Sequence, residues 1–232
     1  MKAAIMQPYL LPYIGYFQLI NAADVFIVYD NIKYTKKGWI NRNRFLRNGA
    51  DVLFSVPLRK DSDFLDVRER VIAPDSDPAD VLNPLREAYR RAPFFEPAFA
   101  VVERVFGNPQ RNLFEFILAS IRETCAYLGI ATRIVVSSTL AIDHALQGQA
   151  KVLALCDTVG AGTYINPPGG VDLYSKPEFA ARGIELRFLK PRPFEYAQLG
   201  APFVPWLSIV DVMMFNPRER IAECLASNYD FA

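Results

Sequence analysis

Cationic and amide side chains crowd the stretch between residues 36 and 44. It carries four cations, two amides and one aromatic ring, which are Lys36, Lys37, Trp39, Asn41, Arg42, Asn43 and Arg44. Cations with an aromatic ring among them suit an anion that lies beside a flat or sugar-like face. In an extended strand the two asparagines would share one face and the two arginines the other. A solvated basic loop remains the alternative from composition alone.

Two aspartates occupy positions where a carboxylate could accept a proton. Asp30 follows an apolar run from Val25 to Tyr29, so we expect it at the end of a strand, as a general base or an orienting acceptor. A turn aspartate is the structural alternative. Asp211 lies inside an apolar helical stretch, where a carboxylate needs a partner or a shifted pKa. The sequence leaves its functional and structural readings open.

Two further segments could form walls of the same site. The first holds Tyr164, Asn166, Gly169 and Gly170, and its two glycines follow two prolines. Glycines there would let the backbone approach a ligand closely, although an ordinary tight turn explains them equally well. The second surrounds Asp211 and adds the polar residues Ser208 and Asn216. Ser208 could instead cap the helix.

The usual nucleophilic and metal-binding arrangements are absent from the sequence. His144 is the single histidine, which excludes a multi-histidine metal site and weakens a Ser-His-Asp reading. Cys156 falls mid-helix among leucines, so we interpret it as a core residue. Neither a Walker phosphate-binding loop nor a dinucleotide-binding glycine motif occurs. We predict no metal site and no certain cofactor.

Composition indicates an enzyme-sized globular chain. It has 232 residues, 51% of them hydrophobic, and a net charge of +1, which argues against a nucleic-acid or membrane-surface partner. Three cysteines without a framework fit a reducing compartment. Early prolines interrupt any signal-type apolar core, and no window reaches the roughly 18 apolar residues of a membrane span. We therefore expect a cytoplasmic protein without a membrane span.

Hydrophobic periodicity alternates between strand and helix patterns along the chain. Predicted strands cover residues 3–6, 25–29, 52–56, 132–136, 163–165 and 184–189, and predicted helices cover 13–21, 77–89, 110–128, 151–160, 207–215 and 218–225. This alternation predicts an α/β fold with a mostly parallel sheet and flanking helices. The stretch at about 77–128 is predicted to be a helical insertion or subdomain. Loops after the first two strands should lie where such sheets bind ligands.

At this point the motifs resemble those of one protein family. Gln7-Pro8 with Pro12-Tyr13-x-Gly15-Tyr16-Phe17 opens the series, and Trp39-Ile40-Asn41-Arg42-Asn43 follows. Tyr164-Ile165-Asn166-Pro167-x-Gly169-Gly170 and Pro205-x-Leu207-Ser208-Ile209-x-Asp211 with Phe215-Asn216 complete it. In this order they resemble the WbqC-like family of bacterial proteins, along almost the whole chain. The resemblance implies one domain over residues 1–232 that acts in O-antigen or other lipopolysaccharide biosynthesis.

A second resemblance concerns the loop after the first strand. Pro8 to Tyr16 is similar to the loop of nucleotidyltransferases and class I tRNA synthetases that opens a helix over a nucleotide phosphate. It implies a Rossmann-like core of the nucleotidyltransferase or HUP type. Tyr13 and Tyr16 stand where that loop has histidines, so the fold could persist with different chemistry. An ATP-using enzyme stays an alternative.

The family resemblance implies a transferase that attaches an acyl or aminoacyl group, with glycyl as one suggestion, to the amine of a nucleotide-linked amino sugar. The donor would be a thioester, for example one carried by an acyl-carrier protein, or it would be derived from ATP. On this hypothesis Lys36, Lys37, Arg42 and Arg44 hold the diphosphate, and Asp30 or Asp211 is the base. Amides near Gly169 and Gly170 would stabilise the oxyanion. The alternative is a non-catalytic module that binds a sugar nucleotide or a pathway partner.

Overall fold

A six-stranded sheet forms the centre of the protein in a computed structural model that describes residues 1–200 and 202–232. Its strands are β1 (Lys2–Met6), β2 (Val25–Val28), β5 (Arg133–Val136), β6 (Thr163–Asn166), β7 (Glu185–Pro191) and β8 (Tyr229–Phe231). Two further strands, β3 (Arg42–Arg47) and β4 (Ala50–Ser55), form a separate antiparallel hairpin. Every pair within the six-stranded sheet is parallel except β7 with the edge strand β8.

The strand order creates a switch point in the middle of the sheet. The order is β5-β2-β1-β6-β7-β8, so the chain moves outward from β1 in one direction and later from β6 in the other. Neighbouring strands that lead away in opposite directions leave a crevice beyond their carboxyl ends. The predicted α/β class with a mostly parallel, Rossmann-like sheet is confirmed, and the crevice lies between β1 and β6.

Helices cover both faces of the sheet. They are α1 (Ile14–Ala22), α2 (Ala79–Tyr89), α3 (Phe95–Phe106), α4 (Leu113–Leu128), α5 (Gly148–Val159), α6 (Lys176–Ala181), α7 (Ile209–Phe215) and α8 (Arg218–Ser227). One apolar cluster joins α1, α4, α7 and α8 to one face, and a second joins α5 and α6 to the other. Short 3-10 turns cover Val67–Glu69, Ser137–Thr139 and Pro168–Leu173.

A long insertion separates β2 from β5 and contains the hairpin and α2 to α4. The strand predicted at 52–56 exists as β4, but it pairs with β3 and not with the main sheet. α3 was not predicted as a separate helix within the helical stretch at 77–128. Pro97 lies in its first turn, where proline costs no helical hydrogen bond. α6 and β8 were also not predicted. α4 ends as expected at Gly129, whose φ of 73° suits glycine.

The inserted helices share their apolar core with the sheet. Side chains from α2, α3 and α4 belong to the same buried cluster as those of α1 and β2. The single-domain boundary and the subdomain at 77–128 stay predictions. Cys156 is fully buried, in agreement with its interpretation as a core residue, and Cys125 and Cys224 are also buried. In the described part of the chain, no helix is long and apolar enough to cross a membrane.

Candidate functional site

The loop that leaves β1 is fixed by side chains from distant parts of the chain. Asn43 donates from its amide to the carbonyls of Leu10 and Leu11, at 3.0 and 2.9 Å. The Ser208 hydroxyl donates to the Leu11 carbonyl at 2.7 Å, and the Ile209 amide donates to Pro12. Leu11 has a φ of 42°, a left-handed conformation that a leucine adopts only when its surroundings impose it. Asn43 and Ser208 therefore hold the shape of the loop.

This loop places Tyr13 over the beginning of α1. Tyr13 precedes the helix in an extended conformation, and its ring folds back onto Gly15. A Cβ atom at position 15 would overlap the outer end of the Tyr13 ring, so the ring keeps this position only over a glycine. The ring also packs edge-on against Trp206, with centroids 5.7 Å apart.

Tyr13 lines three cavities, which we call together the Tyr13 cleft. The inner cavity, of about 190 Å³, lies beyond β1, β6 and β7 and is lined in part by Tyr9, Tyr16 and Pro167. The aromatic cavity, of about 330 Å³, is lined by Tyr9, Pro12, Tyr13, Trp39, Asn43, Arg44 and Trp206. The large cavity, of about 470 Å³, is lined by Tyr13, Trp206 and the segment from Lys190 to Tyr196, with Ile14, Phe203, Pro205, Leu207 and Val212. The cleft thus extends from the sheet crevice to the surface.

Charged groups lie on both sides of Tyr13. Arg44 pairs with Asp51 at 2.9 Å and its guanidinium carbon lies 5.3 Å from the Trp39 ring centroid. Lys190, Arg192 and Glu195 line the large cavity, and Arg192 forms an ion pair with Asp230. The Arg192–Asp230 hydrogen bond lowers the pKa of the Asp230 carboxyl. Glu195 is the carboxylate among the residues that line this cavity.

Asp211 is enclosed in the core and not in the cleft. It is fully buried and accepts hydrogen bonds from Tyr89 at 2.8 Å, Tyr196 at 2.7 Å and Gln198 at 2.7 Å. Burial raises the pKa of this carboxyl, and the three donors act against that rise. Because no surface of Asp211 reaches a ligand, the structure gives it the role of joining α7, α2 and the 196–198 segment.

Asp30 has a similar internal role beyond the carboxyl end of β2. It is 3% exposed, and its carboxylate accepts from the Ser137 hydroxyl at 2.8 Å and the Ser138 amide at 2.9 Å. These bonds fix the turn that follows β5. Asp30 does end up beyond a strand, as expected, but it does not line the Tyr13 cleft.

The predicted basic loop makes mainly internal contacts. Lys36 pairs with Asp63 at 2.7 Å, and Lys37 is exposed. Arg42 donates to the carbonyls of Gly38 and Lys37, which closes the turn before β3. Asn41 accepts from the Tyr34 hydroxyl and donates to the Val56 carbonyl, each at 2.8 Å. These groups shape the hairpin, and the arginine of this basic loop that lines the cleft is Arg44.

The proline-glycine turn after β6 is packed on itself. Asn166 is 6% exposed and accepts from the Tyr164 hydroxyl at 3.1 Å. A Cβ at Gly170 would overlap the Asn166 amide, whereas the same position at Gly169 is open. The Gly170 amide donates to the Pro167 carbonyl at 3.1 Å, so it is not available to an oxyanion in this arrangement. Of this turn, Pro167 reaches the cleft.

Two remaining motif residues also make internal bonds. Gln7 accepts through its backbone carbonyl from the Tyr16 hydroxyl at 2.8 Å, and through its side chain from Tyr9 at 3.2 Å. Burial raises the pKa of Tyr16 well above its usual value, so it stays a neutral donor. Asn216 is fully buried and donates to the Val212 carbonyl at 2.9 Å.

The structure therefore brings together five of the candidate residues named from the sequence, namely Tyr13, Tyr16, Trp39, Asn43 and Arg44. Most of the remaining candidates hold loops and helices around the cleft. Lys190 and Glu195 line it and were missed, since they belong to a charged stretch with no spacing signal. Among the described residues, no group of three or more His, Cys, Asp or Glu side chains could hold a metal ion.

Comparison with known proteins places the chain in a family. The model of the WbqC-like protein family matches residues 7–223, and the chain belongs to that family. It is 30% identical over 220 residues to the uncharacterized protein Rv1507c of Mycobacterium tuberculosis (strain ATCC 25618 / H37Rv), an alignment that covers 93% of each protein. No solved structure matches the chain significantly.

Proposed function

We propose that the protein is a transferase that attaches an acyl or aminoacyl group to the amine of a nucleotide-linked amino sugar during bacterial surface-polysaccharide (O-antigen) biosynthesis. The resemblance of its motifs to the WbqC-like family supports the pathway. The observation that carries the proposal is that Tyr13 is a shared wall of three cavities at the switch point of a Rossmann-like sheet. This is where α/β proteins bind nucleotide ligands.

The cleft suits a ligand with chemically different parts. Its aromatic cavity offers flat apolar surfaces, and its large cavity combines apolar walls such as Phe194 and Phe203 with the carboxylate of Glu195. Arg44 lines the aromatic cavity and Lys190 lines the large cavity, and both would supply positive charge for a diphosphate that reaches from one cavity to the other. An extended sugar nucleotide with its amine in the large cavity would use all of these groups.

Acyl transfer requires a neutral amine. The amine nitrogen would attack the donor carbonyl, the new C–N bond would form, and the bond from the carbonyl to the donor's leaving group would break. The amine proton would pass to a carboxylate and then to the leaving group. Asp30 and Asp211 are bound to internal donors, so we assign the proton acceptor to Glu195, the carboxylate residue among those that line the large cavity.

A product assay tests the proposal. Purified protein is incubated with UDP- or dTDP-linked amino sugars together with an acyl-coenzyme A, or with glycine and ATP, and mass spectrometry follows the gain of the acyl mass. Glu195→Gln should lower turnover about 100-fold or more and leave sugar-nucleotide binding unchanged. Glu223→Gln removes an exposed carboxylate of α8 and is the matched control. Failure of every amino sugar nucleotide to bind the wild-type protein would end the proposal.

A non-catalytic binding protein of the same pathway is the second candidate. It is favoured by the internal hydrogen bonds of both carboxylates that the sequence suggested as bases, since Asp211 accepts three and one oxygen of Asp30 accepts two. Tight binding of an amino sugar nucleotide without turnover, whatever acyl donor is present, would identify this function. An ATP-using nucleotidyltransferase mechanism has less support, because the Tyr16 hydroxyl is buried and bound to Gln7.

A further inference from the structure

Both tryptophans of the chain line the same cavity. The sequence has two, Trp39 and Trp206, and each forms part of the wall of the aromatic cavity together with Tyr9 and Tyr13. They are 39% and 64% exposed, although large aromatic side chains are normally buried. Four aromatic residues around one opening form a surface for stacking.

Trp206 has a strained backbone conformation that its neighbours maintain. Its φ is 60°, a left-handed conformation that is unfavourable for a bulky residue. The next residues anchor the segment, because the Ser208 amide donates to the Arg44 carbonyl at 2.9 Å and the Ser208 hydroxyl to Leu11. Strain of this kind is retained where the surroundings fix it, and it is concentrated at ligand sites.

The walls of the aromatic cavity are mainly ring faces. Tyr9, Tyr13, Trp39 and Trp206 are four of the seven residues that line it. The amide lining the cavity, Asn43, donates to two loop carbonyls, and its oxygen accepts from the Arg44 amide. The Arg44 guanidinium pairs with Asp51 and lies against Trp39. Because a heterocycle is bound mainly through its faces, this lining suits a flat ring.

We propose that the aromatic cavity is the base subsite: the heterocycle of a nucleotide stacks on Trp39 and Trp206, and Arg44 lies beside its phosphate. The inference rests on the proposed function, because it states which part of the sugar nucleotide enters which cavity. Since stacking on aromatic faces tolerates every base, the subsite should discriminate weakly between pyrimidines and purines. Selectivity for the sugar would then arise in the large cavity.

Intrinsic fluorescence gives a direct test, because Trp39 and Trp206 are the chain's two tryptophans. The wild-type protein is titrated with UMP, AMP and a hexosamine 1-phosphate that lacks a base. Both nucleotides should quench the emission with dissociation constants within about tenfold of each other, and the sugar phosphate should not quench it. Trp39→Phe and Trp206→Phe each leave one reporter, and nucleotide should quench both variants.

Calorimetric binding of UMP to Trp206→Ala should be weaker by about tenfold or more, since stacking on an aromatic side chain contributes about 1–3 kcal/mol per base. Phe64→Ala, which truncates an 82% exposed aromatic outside the cavity, should bind UMP like the wild type. Equal quenching by the sugar phosphate, or unchanged UMP affinity in Trp206→Ala, would overturn the inference. Acylation with an unchanged KM in Trp206→Ala would overturn it and leave the transferase proposal intact. Loss of UMP affinity in Trp206→Ala, together with no acylated product from any form of the protein, would support the base subsite and contradict the transferase proposal.

Discussion

Replacing Gly15 by alanine tests whether the Tyr13 ring is held over the start of α1. The backbone of Gly15 lies in the helix with no left-handed φ, so an alanine can adopt it. Its methyl group would overlap the outer end of the Tyr13 ring. The backbone can therefore stay in place, and the ring is what must move.

The two expected energy terms have opposite signs. Alanine in place of glycine within a helix stabilises by about 0.5–1 kcal/mol. Displacing Tyr13 removes its edge-on contact with Trp206, at 5.7 Å between centroids, which is worth about 0.5–1.5 kcal/mol. Gly15→Ala should consequently change the free energy of unfolding by less than about 1 kcal/mol in the wild-type background. In a Tyr13→Ala background there is no ring to displace, so Gly15→Ala should only stabilise the protein.

A double-mutant cycle measures this coupling. Denaturant unfolding of the wild type, the two single variants and the double variant should give a coupling energy of about 0.5–1.5 kcal/mol. Gly15→Ala should also weaken UMP binding, because the displaced ring forms part of all three cavities. Equal stabilisation by alanine in both backgrounds, with unchanged UMP affinity, would show that Tyr13 is not held where the structure places it.

Three further predictions concern Trp206, the glycines at 169 and 170, and Asp211. The Trp206→Gly variant should melt about 1–3 °C above the Trp206→Ala variant, which is opposite to the usual order. The reason is that relief of about 1–2 kcal/mol of left-handed strain exceeds glycine's entropic cost of about 0.5–1 kcal/mol. Gly170→Ala should destabilise by about 1–3 kcal/mol because of overlap with Asn166, and Gly169→Ala, where the space is open, by less than about 0.5 kcal/mol in thermal unfolding. Burial raises the pKa of Asp211 in the folded protein above the usual 3.8. The contribution of Asp211 to the free energy of unfolding is therefore complete below pH 3.8 and is lost as the pH rises through the folded-state pKa. The melting temperature of the wild type minus that of Asp211→Asn should therefore fall as pH rises from about 4, and a difference that grows with pH would contradict the assignment.

The sheet and most helices were accessible from the sequence because their signals are local. Apolar runs such as Val25 to Tyr29 and the stop at Gly129 need no knowledge of distant residues. The pairing of β3 with β4 outside the main sheet was not predicted, although Asn48-Gly49 is a local turn signal that is typical of hairpins. α3 was predicted only as part of a helical stretch, without its own boundaries.

The site was only partly predictable, for a different reason. Motif residues such as Asn43, Ser208 and Asp211 are polar and buried, and a single sequence does not distinguish a ligand contact from an internal hydrogen bond. The structure shows their partners to be backbone carbonyls and tyrosine hydroxyls. Lys190 and Glu195 carry no motif, and their place in the cleft follows from the position of β7 next to β6.

The pairing of β1 has a consequence for how the cleft comes into being. Ala3 pairs with Val25 on one side, which the chain reaches early, and with Tyr164 on the other, which it reaches much later. The loop after β1 likewise takes its shape from Asn43 and from Ser208. Contacts between such distant residues form late, because closing a long loop costs entropy before any contact compensates it. The cleft is therefore absent from partly folded chains, and a ligand that enters it selects molecules that have completed folding and protects them from unfolding.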